Sequence, residues 1–265
     1  MSVRIEKSGS VWTVIHSRFE ARNAMDPKSA DDLVAAFEQF DAEPSADVAV
    51  FWGEGGAFCA GWDLKSVSSL DQANPVKALD FPGDGGKAPR GPLGPSRLEL
   101  SKPVIAAVEG PAVAGGMELA MWADVRVMAE SAYFGVYCRR WGVPLIDGGT
   151  VRLPRLVGMG RAMDIILTGR KVTAEESYRI GLCERVVPHG KAREEAEAMA
   201  QEIARFPQAC VRSDRLSAYR AWGKSVRAGL ESEWETSAGI VKAEGMAGAT
   251  RFAEGKGRHG DFKDI

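Results

Sequence analysis

The apolar positions change period along the chain, and the changes mark its elements. Residues 2–7 and 11–16 alternate like paired strands around Ser8, Gly9 and Ser10, which predicts a β-hairpin. Asp26-Pro27 reads as a helix start, with Asp as N-cap and Pro as first helical residue. Leu33, Phe37 and Phe40 then share one face of that helix. Val48 to Trp52 is a short apolar strand stopped by Gly53. Glu54 to Gly61 is a glycine-rich loop, and Asp63 begins a short helix. KPVIAAVEG, from Lys102, is another apolar strand. PAVAGG leads into the helix MELAMWA, ADVRVMAE gives a strand and YFG an extended piece. Gly148 to Val157 and Arg161 to Thr168 read as helices. Thr173 to Glu176 is a capping box, and Glu184 to Val187 is a strand closed by Pro188.

Strands and helices therefore alternate up to about residue 188, which is an α/β pattern, and only helical patterns follow from Lys191. Residues 71–97 are rich in Pro and Gly and have little periodicity. They predict a mobile flap or long loop, either a plain linker or a lid.

Composition narrows the classes. A chain of 265 residues, 45% hydrophobic, builds one large domain or one domain with a small appendage. Net charge is −2 with no acidic or basic block, so no nucleic-acid partner is expected. No apolar run approaches the roughly 18 residues of a membrane span, so no membrane association is expected. The first residues lack a long apolar stretch, so no signal peptide is expected. Cys59, Cys138, Cys183 and Cys210 lie far apart without a C-x-x-C pair, which reads as reduced thiols and a cytoplasmic protein. His16, His189 and His259 are equally scattered. Nothing in their spacing favours a metal site or a hydrolase triad.

Two segments carry candidate chemistry. In AFCAGWDL, Ala57 to Leu64, a strand runs through small residues into a helix start. Small residues allow close ligand approach, and the N–H groups before a helix carry partial positive charge. VIAAVEGPAVAGGMELAMWADVRV, Val104 to Val127, repeats the theme with Gly115-Gly116 before a helix. Two such loops can point two N–H groups at one carbonyl oxygen, the geometry that stabilises a thioester enolate. Glu118, on the first turn of that helix, is either a general acid/base or a charge satisfied by helix-terminal N–H groups.

These segments resemble the crotonase (enoyl-CoA hydratase/isomerase) superfamily. RNAM at Arg22 to Met25, FGVYCRRWGVPLIDGGTVRLPRLVG at 134–158 and ILTGRKVTAEESYRIGLCERVVP at 166–188 extend the resemblance over residues 3–190, with a weaker match in the helical tail. It implies an α/β fold, a crotonase-like ββα spiral core over residues 1–190 carrying an acyl-CoA site. Residues 191–265 would be a helical trimerisation segment, giving a homotrimer or a hexamer. It implies an acyl-CoA substrate and no further cofactor, with hydration of a 2-enoyl-CoA as the first reaction, and isomerisation or thioester hydrolysis as alternatives. A non-catalytic acyl-CoA- or RNA-binding relative is the reading from another class.

Carried over by position, the resemblance implies oxyanion donors at the backbone N–H groups of Trp62 and Gly115, with Gly61 and Gly116 shaping the turns. Arg22 and Lys65 match positions that meet coenzyme A phosphates in some relatives, or are ordinary exposed charges. Ala60 and Leu64 match the adenine-side wall. Glu118 matches the first of two hydratase glutamates. The second falls at Cys138, and a thiol, with a free pKa of about 8.5, replaces a carboxylate poorly. Asp147 matches an aspartate that faces the acyl group in some relatives, or it is an N-cap for the helix that follows.

Overall fold

The hairpin forms as patterned, β1 (Val3–Ser8) pairing antiparallel with β2 (Val11–His16). In this computed structural model, which describes residues 2–67 and 76–257, β2 begins a run of parallel pairings. The main sheet has the order β1-β2-β3-β4-β6-β9, with β3 at Val48–Gly53, β4 at Val104–Val108, β6 at Val125–Ala129 and β9 at Arg185–Val187. β4 is buried at every position. That explains its unbroken apolar reading, because a parallel strand covered on both faces has no polar side to alternate with. A second sheet, β5-β7-β8, joins Pro111–Val113, Tyr133–Gly135 and Lys171–Thr173. β5 and β8 are absent from the sequence reading. Three residues are too few to show a period, and β5 was absorbed into the approach to the following helix.

Helix α1 (Pro27–Ala42) starts where Asp26 and Pro27 predict. The Asp26 carboxylate accepts the Ser29 N–H at 2.7 Å. Leu33, Phe37 and Phe40 are fully buried, and Phe37 meets Phe51 and Trp122 edge-on at 5.5 and 4.8 Å. Helices α2 (Leu64–Val67), α3 (Gly115–Trp122), α4 (Gly149–Val157), α5 (Met159–Thr168) and α6 (Ala174–Ile180) follow. The capping box forms only in half. Thr173 Oγ1 accepts the Glu176 N–H at 3.2 Å, but the Glu176 carboxylate is taken by Arg170 instead of returning to Thr173.

The helical tail comprises α7 (Ala192–Ala204), α8 (Gln208–Arg220), α9 (Val226–Ile240), a π turn at Val241–Gly245, and α10 (Met246–Ala253). α7 lies across the main sheet on Ala192, Ala196, Met199 and Ala200, all buried. Its N-terminus is held by Glu109, which accepts from Gly190 and Ala192 N–H at 2.7 and 3.1 Å. α8 is tied to the core by Arg215 and Tyr219, both donating to Asp124 Oδ1 at 2.8 Å. α9 is different, leaving Val226 82% and Trp234 72% exposed.

The segment predicted as a flap divides. Residues 71–75 lie outside the described residues. Residues 80–90 are largely solvent-facing. Gly91 to Ser96 are buried, and this corrects the expectation of a loose loop. Gly91 and Gly94 exchange two backbone hydrogen bonds at 2.9 Å, closing a tight turn around Pro92-Leu93. A side chain on Gly94, which has φ +86°, would press 2.6 Å from Ala30 O on α1. Proline and glycine here build a turn that packs, because proline pre-sets its φ while glycine supplies the positive φ and the close backbone contact.

Candidate active site

The two glycine-rich helix starts converge. A Cβ on Gly61, at φ +90°, would lie 2.8 Å from Ala114 Cβ and 3.2 Å from Gly115 N. One on Gly116 would lie 2.0 Å from Cys59 O. Glycine is therefore what lets the turns touch. Trp62 forms a parallel bridge with Met25, using Gly61 O and Asp63 N at 2.8 and 2.9 Å. The Trp62 N–H is on the opposite side of that ladder and donates to nothing within the described residues. Gly115 is the first residue of α3, and its N–H is likewise unclaimed, as the first N–H groups of a helix are. Ala114 before it holds φ 55°, a left-handed conformation that favours glycine, so the chain is forced sharply into the helix there.

Ala60, Trp62, Leu64, Gly115, Glu118, Cys138 and Asp147 line one cavity, with Leu93, Tyr137 and Trp141. Gly61 and Gly116 stand behind it as the contact between the turns. Arg22 and Lys65 do not line it. Arg22 is held at φ 52°, its carbonyl accepting the Ala60 N–H at 3.1 Å, while Lys65 is exposed on α2. Phe134, just before the Tyr137 and Trp141 of this cavity, is buried in the core.

Both carboxyls are buried, at 2% exposure each, and each is anchored through a single oxygen. Glu118 Oε1 accepts the N–H of Asp147 at 2.9 Å and of Gly149 at 2.7 Å, so it caps α4. Asp147 Oδ1 accepts the Leu93 N–H at 3.1 Å and the Ser96 hydroxyl. Glu118 Oε2 and Asp147 Oδ2 have no hydrogen-bond partner within the described residues. The N-cap alternative for Asp147 fails, because Gly148 occupies that position with φ 98° and no side chain caps α4 from its own N-terminus. For Glu118 the helix-terminal alternative is met, at the start of α4. It satisfies those N–H groups through Oε1, and it is one of the residues that line the cavity.

Burial first, and the Asp147 charge second, push Glu118 up to about 8, against hydrogen bonds from Gly149 and Asp147. Burial also raises Asp147, while Ser96, Leu93, Arg97 and Arg152 pull it back. Burial and then Glu118 raise the Cys138 thiol, so it is no acid or base near neutrality. Sequence reasoning missed Leu93, Ser96 and Arg152. Arg152 donates to Asp147 O at 2.9 Å and to Ser96 O at 2.8 Å. Ser96 lay inside the stretch read as loop, and no local signal marked it.

A second grouping offers no competing chemistry. Ser131 Oγ and Glu109 Oε1 both approach His189 Nδ1, at 2.8 and 3.2 Å. A hydrolytic triad needs its serine and its acid on different ring nitrogens. No cluster of metal-ligating side chains occurs among the described residues.

Fold and cleft thus define a class: an α/β enzyme whose cavity sets free backbone donors beside a buried pair of carboxyls. A family model for enoyl-CoA hydratase/isomerase matches residues 6–263, which takes in the helical tail. Enoyl-CoA hydratase EchA19 of Mycobacterium tuberculosis is 39% identical over 207 residues, covering 76% of this chain and 73% of that protein. A probable enoyl-CoA hydratase of Rhizobium meliloti is 35% identical over 260 residues, covering 96% and 97%. A crystal structure of enoyl-CoA hydratase from Mycobacterium tuberculosis H37Rv aligns at TM-score 0.86 and 30% identity, over 96% of each chain. The chain belongs to the enoyl-CoA hydratase/isomerase family, with the crotonase fold.

Proposed function

We propose that the protein adds water to a 2-enoyl-CoA, with the thioester oxygen held by the N–H groups of Trp62 and Gly115. The observation that carries this reading is the anchored pair. Glu118 and Asp147 each keep one oxygen unbonded on the cavity that those two residues line. The reaction needs one carboxyl protonated and one ionised. Glu118, raised to about 8, supplies the proton, and Asp147, with two donors on Oδ1, supplies the base. The water oxygen bonds to the β-carbon as its proton passes to Asp147. The resulting enolate takes the Glu118 proton at its α-carbon, and the proton on Asp147 returns to Glu118 before the next turnover. Arg22 and Lys65 would meet the coenzyme A phosphates, and Ala60 and Leu64 the adenine-side wall. No cofactor enters this scheme.

Cys138 favours a second reading. Without a carboxyl at that position, double-bond isomerisation by a shuttling carboxyl needs no added water. Mass spectrometry of products from crotonyl-CoA, a 3-enoyl-CoA and a hydroxyacyl-CoA separates these. A gain of one water from crotonyl-CoA supports hydration. An unchanged mass with a moved double bond supports isomerisation, and free coenzyme A would overturn both.

The exposed apolar side chains of α9 and α10, among them Trp234 and Phe252, support self-association as a trimer or hexamer. Sedimentation at a monomer's mass would refute it. A cytoplasmic location accords with the scattered free thiols.

A further inference from the structure

We propose that Ser96 is a positioning residue, whose hydroxyl holds one oxygen of Asp147 so that the other faces the acyl group. This rests on the reading of Asp147 as the base. The Gly91–Arg97 strap reaches Asp147 through two donors, Ser96 Oγ–H and Leu93 N–H, both on Oδ1. Arg152 closes the same contact from behind, donating to the carbonyls of Asp147 and Ser96 at 2.9 and 2.8 Å. The strap packs closely at Gly91. A Cβ on Gly91 would lie 1.8 Å from Ser96 Oγ and 2.6 Å from Asp147 Oδ1. Leu93 fills the space beside Gly115, where a Cβ would meet its Cδ2 at 2.3 Å, so the strap touches the donor wall and the acid together.

Hydrogen bonds to a carboxylate stabilise the charged form and fix its direction. Arg97 on the strap and Arg152 on α4 act on the Asp147 charge, which in turn raises Glu118 on α3 and Cys59 after β3. Of the groups on Asp147, Ser96 is the one neutral side chain that donates to its carboxyl within the described residues. Its loss leaves the burial unchanged and removes one of two donors.

Ser96→Ala is expected to lower kcat about tenfold with KM within about twofold, and to move the acid limb of the rate profile up by about one pH unit. Ser96→Thr should restore both, and Ser96→Val, close to Thr in size, should not. In an Asp147→Asn background, Ser96→Ala should cost nothing more. Difference infrared titration gives a readout apart from activity: the carboxylic band that Asp147→Asn removes should titrate at higher pH in Ser96→Ala. An unshifted band, or an equal loss of turnover in both backgrounds, would overturn the role of Ser96. Full hydration by Asp147→Asn would instead sink Asp147 as the base, and the infrared titration would still decide whether Ser96 sets its charge.

Discussion

On one side of the cleft the polar groups are backbone amides, those of Trp62 and Gly115. On the other they are the carboxyls of Glu118 and Asp147. The amide side is set by chain geometry, with glycine at 61 and 116 where a Cβ would collide. Its donors are neutral peptide dipoles that do not titrate. The carboxyl side depends on neighbours in the strap at Leu93–Arg97 and in the Asp147–Arg152 segment, and its protonation follows burial and those neighbours. One wall is fixed by where the backbone can go, the other by what surrounds it, so each should fail under a different kind of change.

The largest effect should come from the titrating wall. Glu118→Gln keeps an oxygen for the Asp147 and Gly149 N–H groups but has no proton to exchange. It should cut kcat by about 10²- to 10⁴-fold. The same variant should gain stability at alkaline pH. Glu118 titrates near 4.5 when unfolded and about 8 when folded. Between those values the unfolded chain has released a proton that the folded one retains, so wild-type stability falls as pH rises through this window. Thermal melts at pH 8 should place Glu118→Gln several degrees above wild type, converging at pH 4. Equal melting temperatures at pH 8 would mean that Glu118 is not held protonated.

Gly61→Ala attacks the amide wall without touching a titrating group. It forces a Cβ to within 2.8 Å of Ala114 Cβ, at a φ of +90°. Displacing one oxyanion donor costs about 10²-fold in kcat, and the pH profile should keep its shape. A changed profile would show that the two walls are not independent. Cys138→Glu should have the smallest effect. A third carboxyl beside Glu118 gains no water-handling role if Asp147 has it, and turnover should drop by less than about tenfold. A rise would move the base from Asp147 to position 138.

The same contrast explains what is legible in the sequence. Asp26-Pro27, the buried strands and the two Gly-rich helix starts are local patterns, each contained within a few residues, and they appear where the pattern puts them. Short strands such as Lys171–Thr173 were not legible, because pairing with β7 rather than intrinsic preference makes them strands. The strap was misread because proline and glycine mark both loose loops and tight turns, and only packing on Ala30, Gly115 and Asp147 separates the two.

The sequence by itself determined the α/β order, the two glycine-rich turns and the presence of a carboxyl at 118 and 147. Periodicity and steric limits act over a few residues, and glycine's freedom is intrinsic. Only the tertiary structure decided what those carboxyls are. Ser96 stands 51 residues from Asp147, and Gly149 stands 31 from Glu118. Which carboxyl holds a proton depends on the water excluded and the donors supplied by such distant partners, because the cost of burying charge is set by the surroundings and not by the residue.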